Sequence, residues 1–158
     1  IELEAYGHLL EQFWSPLTND LPHPYGGSLD NRLRFTFDVL RAIRARCGTD
    51  FIVGLRYTGD EVTPGGTTRE EGLEISRKLR DSGLVDFLNV VRGRIDTDPA
   101  LTDLIPIQGM KSAPHLDFAG EIRAALDLGR LCELRVNFPR PTGARPGPQV
   151  RRITIETA

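Results

Sequence analysis

The sequence lacks several features that would assign its class directly. Its 158 residues include only two cysteines, Cys47 and Cys132, and neither has a cysteine or histidine neighbour at metal-ligand spacing. We therefore expect reduced thiols and no metal site. No apolar run approaches the roughly 20 residues that a membrane-spanning helix needs. There is neither an initiator methionine nor a secretory start, so we expect a cytoplasmic section of a longer protein.

The chain also lacks a large excess of either charge. Its formal net charge is −2, so no bulk field would attract nucleic acid or an anionic membrane. Hydrophobic residues make up 39% and charged residues 27%, which is the balance of a folded soluble domain. We expect small-molecule partners and neither a nucleic acid nor a membrane partner. The oligomeric state is left open, and a homo-oligomer is one alternative.

Apolar runs and helical patterns alternate along the chain. A proline-bearing loop at 15–28 separates the first apolar run from the first helix. Ser28 and Gly48 could cap that helix, and Thr68 with Glu71 fits a capping box at the start of the next. The predicted strands are 1–3, 51–57 and 85–91, and the predicted helices are 31–46, 69–82 and one that opens at Ala113-Pro114.

This alternation favours parallel strands with right-handed crossovers. A doubly wound sheet and a (β/α)8 barrel both satisfy it. No GxGxxG or GxxxxGK[ST] motif follows a strand, which weakens the dinucleotide and P-loop interpretations. The composition changes near Leu128, since residues 130–158 contain six arginines and four prolines. We predict a divergent, flexible tail at 129–158.

Polar residues lie at or just after the carboxyl ends of the predicted strands, where active sites of parallel α/β proteins form. Together they would suit an anionic or electron-rich ligand. Arg56 is the strongest candidate, because a guanidinium in an apolar run is costly to bury without a partner. His23 and His115 are expected at the surface, and Arg92 and Arg94 are expected in solvent or paired with Asp96 and Asp98. The rim candidates are Glu4, Tyr6, His8, Arg56, Tyr57, Asn89, Arg92 and Arg94.

Residues 25–35 read YGGSLDNRLRF and resemble the YGGSxxNRxRF signature of Old Yellow Enzyme-like NADH:flavin oxidoreductases. Residues 9–16 resemble the segment that precedes this signature, and 53–56 resemble the next barrel strand. The resemblance covers residues 1–128 and is closest to the branch with trimethylamine dehydrogenase, dienoyl-CoA reductase and N-methyl amino acid demethylases.

The resemblance implies a partial (β/α)8 TIM barrel with about half of its strands, an FMN-binding section at 1–128, and the tail at 129–158. It implies hydride transfer between FMN and NAD(P)H or a small amine or enone substrate. Arg56 matches the arginine near the flavin pyrimidine edge. The family usually carries an HxxH or HxxN pair at the end of this strand. Here Glu4 stands for the first member and either Tyr6 or His8 for the second, and a carboxylate at this position suits a cationic amine.

Two other interpretations stay open. The chain could be an inactive, truncated remnant of such an enzyme, because about 250 residues are needed for a full barrel. It could instead be an unrelated α/β module that binds an anion through the rim arginines. We also expect a half barrel to leave two sheet edges and an apolar interior uncovered.

Overall fold

The fold was analysed in a computed structural model of the chain, which describes residues 1–105, 107–110 and 113–126. The predicted tail at 129–158 lies outside the described residues. The strands are Glu2–Ala5 (β1), Gly54–Asp60 (β2) and Phe87–Arg92 (β3). The helices are Leu9–Trp14 (α1), Leu29–Cys47 (α2), Arg69–Ser82 (α3), Asp98–Leu104 (α4) and Leu116–Ala125 (α5).

The three strands form one parallel sheet in the order β1-β2-β3, as the alternating pattern predicts. Their register aligns Glu4 with Arg56 and Arg56 with Asn89. Successive side chains of a strand point to opposite faces, and residues paired across a parallel sheet point to the same face. Arg56 therefore shares one face with its two partners, while Leu55 and Tyr57 belong to the other.

That other face packs against the helices and forms the core. Leu33, Leu55 and Ile75 are fully buried there, and each such side chain stabilises the fold by about 2 kcal/mol. The rings of Trp14 and Tyr57 lie 5.7 Å apart between α1 and β2. Trp14 Nε1 donates a hydrogen bond of 2.7 Å to Thr36 Oγ1, so the indole of α1 is also tied to α2.

The polar residues of the YGGSLDNRLRF segment hold the loop at 15–28 onto α2. Asn31 Nδ2 donates to the carbonyl of Gly26 at 3.1 Å, and Arg34 Nε donates to that of Pro24 at 2.9 Å. The buried Arg32 guanidinium donates to the carbonyl of Trp14 and pairs with Glu71 of α3. In this structure the segment therefore contributes to folding, because it supplies donors for loop carbonyls that would otherwise be unpaired.

The predicted helix caps are present. The Ser28 hydroxyl accepts a hydrogen bond from the Asn31 amide, and Gly48 ends α2 at a φ of 78°. Thr68 likewise caps α3 by accepting from the Glu71 amide. A full capping box would also have the Glu71 carboxylate accept from the Thr68 amide. Here that carboxylate pairs with Arg32 instead, so this half of the prediction was wrong.

Several assignments made from the sequence were wrong. Strand β2 begins three residues later than predicted and continues to Asp60, because Phe51 and Ile52 are exposed and do not belong to the buried run. The short helices α1 and α4 were missed. His115 is not a free surface residue, since its Nδ1 accepts a hydrogen bond from the Arg92 amide at 3.0 Å.

None of the helices within the described ranges is long and apolar enough to cross a membrane.

Close packing of α3 on β2 gives a direct test of the fold. A Cβ added at Gly72 would lie 1.7 Å from the carbonyl oxygen of Gly59, whereas one added at Gly120 of α5 would meet nothing. Alanine favours helices over glycine by about 1 kcal/mol. We expect Gly120→Ala to stabilise the chain by up to that amount, and Gly72→Ala to destabilise it by about 1–3 kcal/mol through overpacking. Urea denaturation measures the change in the free energy of unfolding for both variants. Equal changes would contradict the close contact between α3 and β2.

Candidate functional site

Arg56 lies on the sheet face that the helices leave uncovered. Its Nε lies 3.2 Å from Glu2 Oε1, and its Nη1 lies 3.8 Å from Glu4 Oε1. The side chain is mostly buried, with 22% of its surface exposed. Two carboxylates from the neighbouring strand β1 thus compensate the charge that the sequence places inside an apolar run.

A polar row crosses the sheet at this level. Asn89 Nδ2 of β3 donates to Glu2 Oε1 at 2.9 Å, and Glu2 in turn faces Arg56. We expected a half barrel to expose an apolar interior, but the register brings these polar side chains together on that face. Such a surface can bind a polar planar ligand through hydrogen bonds and charge.

Glu4 and Tyr6 lie beside Arg56, and His8 lies beside Tyr6, so the four predicted site residues form one connected group. The Arg56 guanidinium carbon lies 5.5 Å from the centre of the Tyr6 ring, within cation–π range. The Tyr6 and His8 rings meet edge to face at 5.6 Å. His8 stands at the N-cap of α1 but makes no capping hydrogen bond through its side chain, which leaves its exposed imidazole available to a ligand.

The other rim arginines pair with two acids that the sequence analysis did not name, Asp60 and Glu61, and with one that it did, Asp96. Arg92 Nη2 lies 2.8 Å from Asp60 Oδ2. Arg94 lies 2.7 Å from Glu61 and 3.0 Å from Asp96, of which only the pair with Asp96 was predicted. These carboxylates offset the guanidinium charges, so the rim favours anions less than the sequence suggested.

A second polar group lies at the carboxyl ends of the strands and includes Glu11 and Glu61. Glu61 follows β2 and is 3% exposed. Its Oε2 accepts from the Ser15 hydroxyl at 2.7 Å and from the Thr67 amide at 2.5 Å. Glu11 of α1 is 7% exposed, and its Oε2 accepts from the Gly7 amide.

The surroundings of Glu11 raise the pKa of its carboxyl group to about 7. Burial is the largest cause, because it removes water from the charged form, and the nearby Glu61 carboxylate acts in the same direction. The Thr58 hydroxyl and the Arg94 guanidinium oppose the rise. Glu11 therefore changes charge near neutral pH, which an ordinary glutamate does not.

Glu11 and Glu61 were missed for different reasons. The sequence could have indicated Glu61, since it follows an apolar run and precedes a turn. It was missed because the predicted strand ended too early, at Tyr57. Glu11 lies in a short helix whose burial depends on packing against the sheet. No local pattern in the sequence reports that packing.

The described residues hold no group of three or more histidine, cysteine or acidic side chains that could bind a metal ion. Cys47 is a free, exposed thiol, and Cys132 lies outside the described residues.

Arg56 fits the expected flavin. Its Nε is buried and makes no hydrogen bond, because the geometry to Glu2 suits an ion pair only. A buried donor without an acceptor is unfavourable, and an acceptor atom of a bound ligand would relieve it. The carbonyl and nitrogen acceptors of a flavin pyrimidine edge are groups of this kind.

Burial of Glu11 predicts how stability depends on pH. Its pKa rises from 4.5 in the unfolded chain to about 7 in the fold, so the folded state binds the proton more tightly. The stability that this tighter proton binding gives the folded state is fully present below pH 4.5 and is lost as pH rises through 7. Between pH 5 and pH 8 we expect the free energy of unfolding of wild type, measured by urea denaturation, to fall by up to about 3 kcal/mol relative to that of Glu11→Gln. The exposed Glu70→Gln serves as the control, and a difference that does not vary with pH would contradict the assignment.

Comparison with curated proteins identifies relatives along most of the chain. A probable N-methylproline demethylase of Rhizobium meliloti is 72% identical over 125 residues, which are 79% of this chain and 18% of the relative. The N,N-dimethylglycine/sarcosine dehydrogenase of Chromohalobacter salexigens is 42% identical over 124 residues, which are 78% of this chain and 18% of that protein. The chain therefore spans less than a fifth of the length of these relatives.

Solved structures show the same architecture. A 2-naphthoyl-CoA reductase complex superposes with a TM-score of 0.71 at 27% identity, over 84% of this chain and 19% of the other. Histamine dehydrogenase from a Rhizobium species superposes with a TM-score of 0.67 at 24% identity, over 80% of this chain and 18% of the other, and supports the fold alone. These likenesses confirm the predicted section of a TIM barrel.

A family model covers the residues that build the site. The model of the NADH:flavin oxidoreductase / NADH oxidase family matches residues 3–94, which run from β1 past the end of β3. The match includes Arg56 and the Tyr6–His8 segment. The chain belongs to the NADH:flavin oxidoreductase / NADH oxidase family.

Proposed function

We propose that the chain forms the substrate- and flavin-facing section of an FMN-dependent oxidoreductase. The reaction is hydride transfer between the flavin and NAD(P)H or a small substrate, of which an amine fits better than an enone. The observation that carries this proposal is Arg56, a mostly buried cation on the open sheet face whose Nε is ion-paired with Glu2 but makes no hydrogen bond.

Arg56 would stabilise the negative charge that reduction places on the flavin pyrimidine edge. A fixed cation favours a developing anion most when its position is set before the reaction. Glu2 and Glu4 hold the guanidinium from β1, and Tyr6 covers one face of it. The carboxylates also reduce the net charge, so the arginine acts through its directed N–H groups as well as through its charge.

Glu4, Tyr6 and His8 would contact the substrate. The Glu4 carboxylate lies near the edge of the polar row and is 42% exposed, which leaves it accessible to a cation. A carboxylate attracts a protonated amine and repels the oxygen of an enone, whose charge becomes negative on reduction. Tyr6 and His8 offer a phenol and an imidazole, which are both side chains that can hydrogen-bond a substrate and take part in proton transfer.

The names of the two curated relatives favour the same substrate class, since one is a probable N-methylproline demethylase and the other an N,N-dimethylglycine/sarcosine dehydrogenase. The chain matches 18% of each, so the activity of a whole enzyme is a proposal that includes residues other than those described. FMN supplies the hydride acceptor in such an enzyme, and NAD(P)H or the amine supplies the hydride.

Flavin titration of the purified chain tests this proposal. We expect FMN fluorescence to be quenched saturably, and Arg56→Ala to weaken the affinity at least tenfold because a charged hydrogen bond is lost. Arg56→Lys should retain part of the affinity. Arg41→Ala is the matched control, since Arg41 is an exposed arginine of α2 that pairs with Asp38.

Two outcomes would count against the proposal. Equal affinity in wild type and Arg56→Ala, with both folded by circular dichroism, would remove Arg56 from the flavin contact. Absence of binding at high micromolar FMN would favour the alternative that the chain is an inactive remnant of such an enzyme.

A further inference from the structure

Glu11 joins the buried helix α1 to the turn that carries two of the proposed substrate contacts. Its Oε2 accepts a hydrogen bond from the Gly7 amide, and Gly7 lies between Tyr6 and His8. The contact therefore runs from a buried carboxylate to the backbone of the candidate site. A change at Glu11 would reach both rings through Gly7.

The turn at Gly7 is closely constrained. Gly7 has a φ of 62°, in the left-handed region that residues with a side chain rarely adopt. A Cβ added there would lie 2.0 Å from Ile95 Cδ1, so the loop after β3 packs directly against the turn. On its other side, the His8 carbonyl accepts from the Gln12 amide at 3.2 Å. The bond to Glu11 is thus one of three contacts that set how the chain enters α1.

Helix α1 is a fixed support for the Glu11 carboxylate. Trp14 of the same helix is 1% exposed, and its indole donates to Thr36 of α2 at 2.7 Å. Leu10 and Glu11 are buried as well. A side chain whose own position is set by packing can hold a neighbouring segment in place, so α1 can position the turn that precedes it.

The two rings beside Gly7 depend on the orientation of this turn. The centre of the Tyr6 ring lies 5.5 Å from the guanidinium carbon of Arg56 and 5.6 Å from the centre of the His8 ring. His8 is exposed and makes no capping hydrogen bond through its side chain. Contacts between rings and charges at such sites are weak. A shift of the Gly7 backbone would therefore move both rings relative to Arg56.

We propose that Glu11 is a positioning residue, which holds the turn of Tyr6, Gly7 and His8 through the Gly7 amide and so sets where the phenol and the imidazole meet a substrate. The role of the two rings rests on the proposed function, whereas the contact itself does not require flavin. Glu11 acts through the backbone and touches neither the substrate nor the flavin.

The strength of this contact depends on the charge of Glu11. A hydrogen bond to an ionised acceptor is about twice as strong as one to a neutral acceptor. Because the pKa of Glu11 is about 7, the carboxylate prevails at pH 8 and the neutral acid at pH 6. The groups that act on it are Glu61 after β2, Arg94 and Asp96 after β3, and the Thr58 hydroxyl of β2. We expect the turn to be held more firmly above pH 7 than below it.

A pH titration of the 158-residue chain, followed by ¹⁵N–¹H NMR, tests the contact. We expect the Gly7 amide proton to shift downfield with a midpoint near pH 7, because the ionised carboxylate is the stronger acceptor. Glu11→Gln should lose this titration, and Glu70→Gln, an exposed residue of α3, should retain it. The His8 imidazole is present in all three proteins, so it cannot cause a difference between them.

Positioning is measured on the rings themselves. Nuclear Overhauser effects between the Tyr6 and His8 rings should be observed in wild type at pH 8 and be lost in Glu11→Leu, which has no acceptor. Glu11→Gln should keep them in part, because its amide oxygen can still accept. The indole Nε1–H resonance of Trp14, which reports the bond to Thr36, should be unchanged and shows that α1 stays folded.

Two results would overturn the proposal: a Gly7 resonance that does not titrate near pH 7 in wild type, or ring contacts in a folded Glu11→Leu that equal those of wild type. The wild-type titration decides the matter if Glu11→Leu does not fold. Both measurements are made without FMN. Failure to bind FMN would therefore count against the proposed function alone, and FMN binding without any effect of Glu11 would overturn the positioning role alone.

Discussion

Parallel pairing of three strands in one register is the constraint on which the rest of the structure depends. It places Glu4, Arg56 and Asn89 side by side on one face and sends Tyr57 into the helical layer beside Trp14. A slip of one residue would exchange the two faces of a strand. The guanidinium of Arg56 would then enter the apolar core without its carboxylates, at a cost of several kcal/mol.

The same register distributes charge into two environments. On the open face, Arg56 is surrounded by acids but keeps a donor without an acceptor. At the carboxyl ends of the strands, Glu61 and Asp96 pair with Arg94, and burial raises the pKa of the nearby Glu11 carboxyl to about 7. The electron-rich edge of a flavin is complementary to the first of these environments.

Much of this arrangement could be predicted from the sequence, and the failures have physical causes. The caps of α2 and α3 are local hydrogen bonds of Ser28 and Thr68, so short-range patterns find them. Arg56 was found because a charge in an apolar run requires a partner. The ion pair of Arg56 with Glu2 was not predicted, because contacts between side chains on different strands depend on the register of the sheet. The length of β2 and the burial of Glu11 likewise depend on tertiary packing.

The central claim is that the Arg56 guanidinium contacts the bound flavin. The most direct test follows the Nε–Hε resonance of Arg56 by ¹⁵N NMR as FMN is added. The account predicts a saturable shift of this resonance and no shift of the Arg41 resonance on the exposed side of α2. An unchanged Arg56 resonance in a chain that has bound FMN would contradict it.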